Sequence, residues 1–198
     1  MDSLKTVIEE ALAGLAPKEP TKRHEPTEEQ LARAGRYMIR CGYLPHDQPA
    51  FTRLAKWIAG PQDRGLFLVG DVGVGKTAFL DMCTSANIAT ARDLCGNVGG
   101  CRGLVDTTLT LAIDDMGAEP VSVTYGQRED IVGGIVTERH KWYTARGTIT
   151  HVTANVPIVD GVPDCTELKE RYGPRVWDRL REMCTMVAFQ PGSHRGEK

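Results

Sequence analysis

Gly70-Asp71-Val72-Gly73-Val74-Gly75-Lys76-Thr77 decides the fold. The stretch fits G-x-x-x-x-G-K-[ST], and each part has a physical task. The glycines let successive backbone N–H groups, those of Asp71, Val72 and Val74 among them, turn inward around phosphate oxygens. A helix opening near Gly75 sets its positive N-terminus at the same point. Lys76 would bridge the outer two phosphates of a nucleoside triphosphate, and the Thr77 hydroxyl would hold Mg²⁺. The alternative is a Gly-rich turn carrying a surface lysine. The residues just before argue against it: Leu66-Phe67-Leu68-Val69 is a continuous apolar run, as expected of a strand buried on both faces.

Working outward from the loop, Leu109 to Ile113, Ile149 to Thr153 and Met186 to Phe189 read as further strands. Residues 127–142 read as a helix, although Gly133-Gly134 in its middle costs about 1 kcal/mol per glycine. Strands alternating with helices predict an α/β domain with a parallel sheet flanked by helices. The strand at 109–113 runs into Asp114-Asp115. An acidic residue at the C-terminal end of a parallel strand sits beside the phosphate loop, where ligands bind in such sheets. Asp114 would hold Mg²⁺, directly or through water, and Asp115 would polarise an attacking water. Asp-Asp-Met-Gly is also turn-like, so a capping role for either residue stays open.

The first third of the chain reads differently. Leu4, Val7, Ile8, Leu12 and Leu15 fall at helical spacing, which predicts a short amphipathic helix over residues 2–15. A segment with Pro17, Pro20 and Pro26 among charged residues follows as a linker. Thr27 with Gln30 is a capping-box pattern that opens a helix through about Cys41. Asp47 and Pro49 open another, with Phe51, Leu54 and Ile58 on one face and a stop at Gly60-Pro61. The organisation is therefore residues 1–26 as an extension, 27–60 as a helical lead-in and 61–198 as the phosphate-loop core. The extension is a candidate partner-docking segment, because an amphipathic helix on a Pro-rich tether suits a groove; packing on the core is the alternative.

Composition limits the function classes. The chain has 198 residues and net charge −2, which excludes a histone-like binder and leaves room for a local basic groove. Its 21 Gly and 11 Pro stay short of a low-complexity composition. No apolar run approaches the roughly 18 residues of a membrane span. The N-terminal Met-Asp-Ser-Leu-Lys has neither a basic leader nor a compact apolar stretch after it, which predicts a cytoplasmic location. The six cysteines then read as free thiols. The closest pair, Cys95 and Cys101, lacks the spacing and the second pair of a zinc site.

With these motifs in place, the sequence resembles the DnaC/IstB branch of the AAA+ ATPases over about residues 50–195. The resemblance rests on Gly70–Thr77, on Ile113-Asp114-Asp115-Met116-Gly117-Ala118-Glu119-Pro120, on Thr150-His151-Val152-Thr153-Ala154-Asn155, and on Arg171-Tyr172-Gly173-Pro174-Arg175-Val176-Trp177-Asp178-Arg179-Leu180. It extends to the closing Phe189 and Gly192-Ser193-His194-Arg195. The first two motifs occur in many phosphate-loop enzymes. The Asn after a strand followed by an Arg-x-x-x-Arg-Leu helix is more specific, and bacterial and phage-borne helicase loaders of the DnaC type are the nearest match.

The resemblance implies an AAA+ type fold that binds ATP with Mg²⁺ and hydrolyses it slowly. Asn155 resembles the sensor residue that holds the attacking water; a chain-turning Asn before Pro157 is the alternative. Arg175 and Arg179 are four apart and share a helix face. One of them, Arg179 in the first place, matches an arginine finger that enters a neighbouring subunit's site. Ion pairs Arg175–Asp178 and Arg179–Glu182 on a solvated face are the alternative. A finger acting between subunits requires an ATP-dependent homo-oligomer, a ring or a spiral. The implied partner is a replicative DNA helicase, with single-stranded DNA as a further one.

The chain departs from the family in three places. Asp115 stands where many AAA+ enzymes carry Glu, although this branch often has Asp there, and its shorter arm predicts slow turnover. Residues 78–113, 36 in all, are fewer than helicase loaders usually place there, where an insertion contacts DNA. Little chain follows Arg195, so a C-terminal helical lid domain is not expected. Three other functions compete: an IstB-like helper of a transposase, a nucleotide-dependent adaptor that does not hydrolyse, and a small-molecule kinase. The kinase offers no use for Asn155 and Arg179.

Overall fold

The computed structural model describes residues 25–44, 47–96, 105–106, 108–120, 122–124 and 127–191, of 122–129 only as backbone. In chain order the elements are α1 (Glu28–Arg40), α2 (Gln48–Ala59), β1 (Gly65–Gly70), α3 (Lys76–Cys83), β2 (Asn87–Thr90), α4 (Ala91–Gly96), β3 (Thr110–Asp114), β4 (Ser122–Thr124), β5 (Gln127–Glu129), α5 (Ile131–Arg146), β6 (Ile149–Asn155), β7 (Ile158–Val159), β8 (Val162–Pro163), α6 (Thr166–Met183) and β9 (Cys184–Ala188). The amphipathic helix expected over residues 2–15 lies outside the described residues.

Five strands form one sheet in the order β2-β3-β6-β1-β9, every neighbouring pair parallel. All six residues of β1 are buried, which accounts for its unbroken apolar run. Successive side chains alternate between the faces. Leu66 and Leu68 pack with Met38, Leu54, Phe79 and Leu80 of the first three helices. Phe67 and Val69 pack with Leu94, Val136, Leu168 and Leu180 of the last three. The result is an α/β fold with a helical layer on each face. β6 is inserted between β1 and β3, so Gly70 pairs with Asn155 and Ile113 with Val152. The ends of β1, β3 and β6 that carry the expected site residues therefore meet at one edge.

Local signals match where they are strong. Thr27 caps α1 with the full capping box, its hydroxyl accepting from Gln30 N and the Gln30 side chain accepting from Thr27 N. Asp47 caps α2 through Ala50 N at 3.2 Å. Two readings need correction. The helix expected over 127–142 begins at Ile131, because 122–129 form the β4–β5 hairpin. Gly133-Gly134 thus sits in the first turn, where the Asp130 carboxylate caps Gly133 N at 2.8 Å. A Cβ on Gly133 would meet that carboxylate at 1.9 Å, so a larger residue there would displace the cap. β2 was not expected at all: it is an edge strand with no fully buried residue, and the continuous apolar signal is missing.

Candidate functional site

The phosphate loop leaves β1 at Gly70 and enters α3 at Lys76. Gly70, Gly73 and Gly75 all take positive φ, 145°, 88° and 94°. A Cβ on Gly70 would lie 2.8 Å from Phe189 O, so the turn closes tightly against the end of β9. Gly75 is the N-cap of α3 and supplies no side-chain hydrogen bond to the first turn. Asp71 and Val72 are exposed at the loop's rim, and Val74 is buried beneath it.

Lys76 is 5% exposed. Its Nζ donates to Gly70 O at 2.9 Å, Asp71 O at 2.7 Å and Asn155 Oδ1 at 2.8 Å. Asn155 in turn donates from Nδ2 to Asp115 Oδ1 at 3.0 Å. The amide orientation follows from its neighbours, since an ammonium needs the oxygen and a carboxylate needs the N–H. A second chain of bonds runs beside the first. Thr77 Oγ1 donates to Asp114 Oδ1 at 2.9 Å, and Thr153 Oγ1 donates to the same oxygen at 2.6 Å. Thr153 Oγ1 also accepts from Asp115 N at 2.9 Å. In the sequence Thr153 reads as one strand residue among several. The available signal was a hydroxyl two residues before Asn155 in a strand buried on both faces.

The oxygen set fits Mg²⁺, which takes hard ligands and is commonly completed by waters and substrate phosphates. Thr77 and Asp114 would hold it: Asp114 is 7% exposed, and its Oδ2 accepts no hydrogen bond from the described residues. Among those residues no group of three His, Cys, Asp or Glu could hold a metal ion.

Arg175 and Arg179 lie elsewhere. Both follow a break in α6 at Gly173 (φ 77°, ψ 168°) and Pro174. Arg175 is exposed, whereas Arg179 Nη1 donates to Thr137 Oγ1 of α5 at 2.6 Å. With His140, Asp178, Arg181 and Glu182 they line an open cleft of about 660 Å³. Among the described residues neither arginine forms the i, i+3 ion pair weighed as an alternative; Glu182 meets His140 Nε2 at 2.8 Å instead. Neither hydrogen-bonds to the phosphate loop, Asp114, Asp115 or Asn155 of its own chain.

A glycine-lined loop, a buried lysine, an acidic strand end and a neighbouring Asn now stand on one edge of a parallel sheet. The fold is a P-loop NTPase fold. No family model and no curated protein matches the chain. Solved structures do. One described as the DnaC helicase loader aligns with TM-score 0.48 and 18% identity over 84% of this chain and 94% of its own. DnaI aligns with TM-score 0.44 and 18% identity, covering 83% and 87%. AMPPCP-bound DnaA from Aquifex aeolicus aligns with TM-score 0.39 and 15% identity, covering 64% of this chain and 40% of its own. All three likenesses are at low identity, and they concern the arrangement of strands and helices alone. No helix among the described residues is long and apolar enough to cross a membrane.

Proposed function

We propose that this chain binds ATP with Mg²⁺, hydrolyses it slowly, and uses the bound nucleotide to load a replicative DNA helicase. The observation that carries the nucleotide part is the paired network Lys76–Asn155–Asp115 and Thr77–Asp114–Thr153 at the mouth of the loop. Lys76 exchanges its carbonyl and amide acceptors for phosphate oxygens. The loop N–H groups and the positive N-terminus of α3 hold the remaining phosphate charge. Asn155 and Asp115, tied at 3.0 Å, are the groups to orient a water. Hydrolysis forms one bond, water oxygen to γ-phosphorus, and breaks one, γ-phosphorus to the terminal oxygen of ADP. The water's proton has the Asp115 carboxylate as its acceptor. The short Asp arm favours slow turnover.

The loader role is supported by the sequence motifs around Asn155 and Arg175–Leu180. Exposed Arg175 and half-buried Arg179 are the groups available to a neighbouring subunit's γ-phosphate in an ATP-dependent homo-oligomer. The test is capture of the full chain from host lysate with ATP and, separately, with ADP. Recovery of a replicative helicase with ATP alone is the expected outcome. Recovery of a transposase would replace the loader by a transposition helper, and identical recovery with both nucleotides would refute a nucleotide-controlled role.

A further inference from the structure

We propose that Glu119, Arg171 and Tyr172 form a clamp that holds Asp115 in position for hydrolysis, so that Glu119 and Arg171 are positioning residues for that step. The proposal rests on the reading of Asp115 given above. Asp115 has φ 55°, in the left-handed region. That region is uncommon for residues other than glycine, although Asp enters it more readily than most.

The surroundings hold Asp115 there from both sides. On the strand side, Asp115 N donates to Thr153 Oγ1, and Met116 N donates to Thr153 O at 2.8 Å. On the far side the turn 115–119 closes on itself, Ala118 N donating to Asp115 O at 3.0 Å and Gly117 N to Glu119 Oε2 at 2.9 Å. The guanidinium of Arg171 then takes the same turn from outside. Nη1 donates to Gly117 O at 2.8 Å, and Nη2 donates to Glu119 O at 2.6 Å and meets Glu119 Oε1 at 2.8 Å. The Tyr172 hydroxyl donates to that carboxylate as well. Burial and the adjacent carboxylate push the Tyr172 phenol up, which keeps it a donor.

An ordinary ion pair needs none of this. A nearly buried carboxylate facing one arginine is satisfied by a bidentate contact alone. Here the arginine fork is divided between the carboxylate and two main-chain carbonyls, and the carboxylate's second oxygen is spent on a main-chain N–H. The bonds converge on the peptide groups that follow Asp115. Gly117 (φ 101°) brings the turn so close to α6 that a Cβ would lie 2.9 Å from Leu168 Cδ2. The break at Gly173 lets the first part of α6 lie on this turn, while Trp177 beyond it packs edge-on against Phe67 at 5.9 Å.

The experiment measures ATP affinity and turnover at saturating ATP for the full chain, for Arg171→Ala, for Tyr172→Phe, for Asp115→Asn and for Arg171→Ala combined with Asp115→Asn. Arg171→Ala should keep ATP affinity within about threefold and lower turnover by about tenfold or more. Added to Asp115→Asn it should lower turnover no further, because both act through one carboxylate. Tyr172→Phe removes a single bond at the clamp's edge. It should lower turnover by about threefold with affinity unchanged, and it carries the test if Arg171→Ala does not fold. Wild-type turnover in the single variants, or a loss that multiplies with that of Asp115→Asn, overturns the clamp and leaves the nucleotide site standing. A wild-type chain that binds ATP without turning it over removes the role given to Asp115, and the clamp's role in hydrolysis falls with it. A wild-type chain that binds no ATP refutes the site itself.

Discussion

The two edges of the sheet each hold a buried cation, and they hold it differently. At the edge where the strands end, Lys76 rests on two carbonyls of its own loop and the side chain of Asn155. At the edge where they begin, Arg139 of α5 is 0% exposed and donates to Thr150 Oγ1, Val105 O, Thr108 O, Leu109 O and Ile149 O. Its acceptors belong to β6 and to the segment leading into β3, and they tie the helix to the start of the sheet. Burial lowers the Arg139 pKa from its ordinary value, yet five neutral oxygens keep the guanidinium satisfied. A buried cation whose acceptors are fixed is a rivet. One whose acceptors are a loop and an amide side chain can trade them for a ligand.

Two substitutions can break that contrast. Lys76→Ala should reduce ATP affinity by about a thousandfold, roughly 4 kcal/mol, through loss of charge-assisted bonds to phosphate. Its thermal midpoint without nucleotide should stay near that of the wild type. Titration calorimetry with melting curves checks both, and a variant that still binds ATP tightly would remove the phosphate loop from the site. Arg139→Met should do the reverse. It strands several buried oxygens and should lower stability by about 3 kcal/mol in urea unfolding. ATP affinity of the folded fraction should remain that of the wild type. An Arg139 variant of normal stability would show that its hydrogen bonds are replaceable, and the contrast between the edges would vanish.

The same contrast explains what was legible in the sequence. The loop is eight consecutive residues, and its chemistry needs them at fixed spacing, so Gly70–Thr77 could be read directly. Asp114 and Asp115 were legible because strand ends in a parallel sheet must meet the loop, whereas Asn155 was legible only through the family resemblance of the segment around it. Arg139 looked like any helix arginine, since all five acceptors lie outside its helix. Glu119 and Arg171 are 52 positions apart and appear in no single spacing pattern. The break in α6 was written in Gly173-Pro174. The shared helix face of Arg175 and Arg179 carries no sign of it, because both fall beyond the break. The β4–β5 hairpin offered no long alternating run to set against the helix expected there.

A smaller effect separates the edges by pH. His151 of β6 is 1% exposed; its Nδ1 accepts from Leu66 N at 3.1 Å, and its ring meets Trp57 edge-on at 5.4 Å. Burial lowers its pKa from 6.5 to about 4. The folded chain therefore keeps this imidazole neutral, while the unfolded chain protonates it below about pH 6.5. Between those values the unfolded state binds more protons, so stability must fall as pH falls, by about 1.5 kcal/mol from pH 6.5 to pH 5. Urea unfolding of wild type and His151→Phe across this range isolates the contribution. The variant should lose baseline stability with its missing bond to Leu66 N, and its pH profile should be flatter than wild type by that amount. Equal slopes would mean that protonation of His151 is tolerated in the folded state. The edge that begins the strands would then be less rigidly held than the acceptors of Arg139 require.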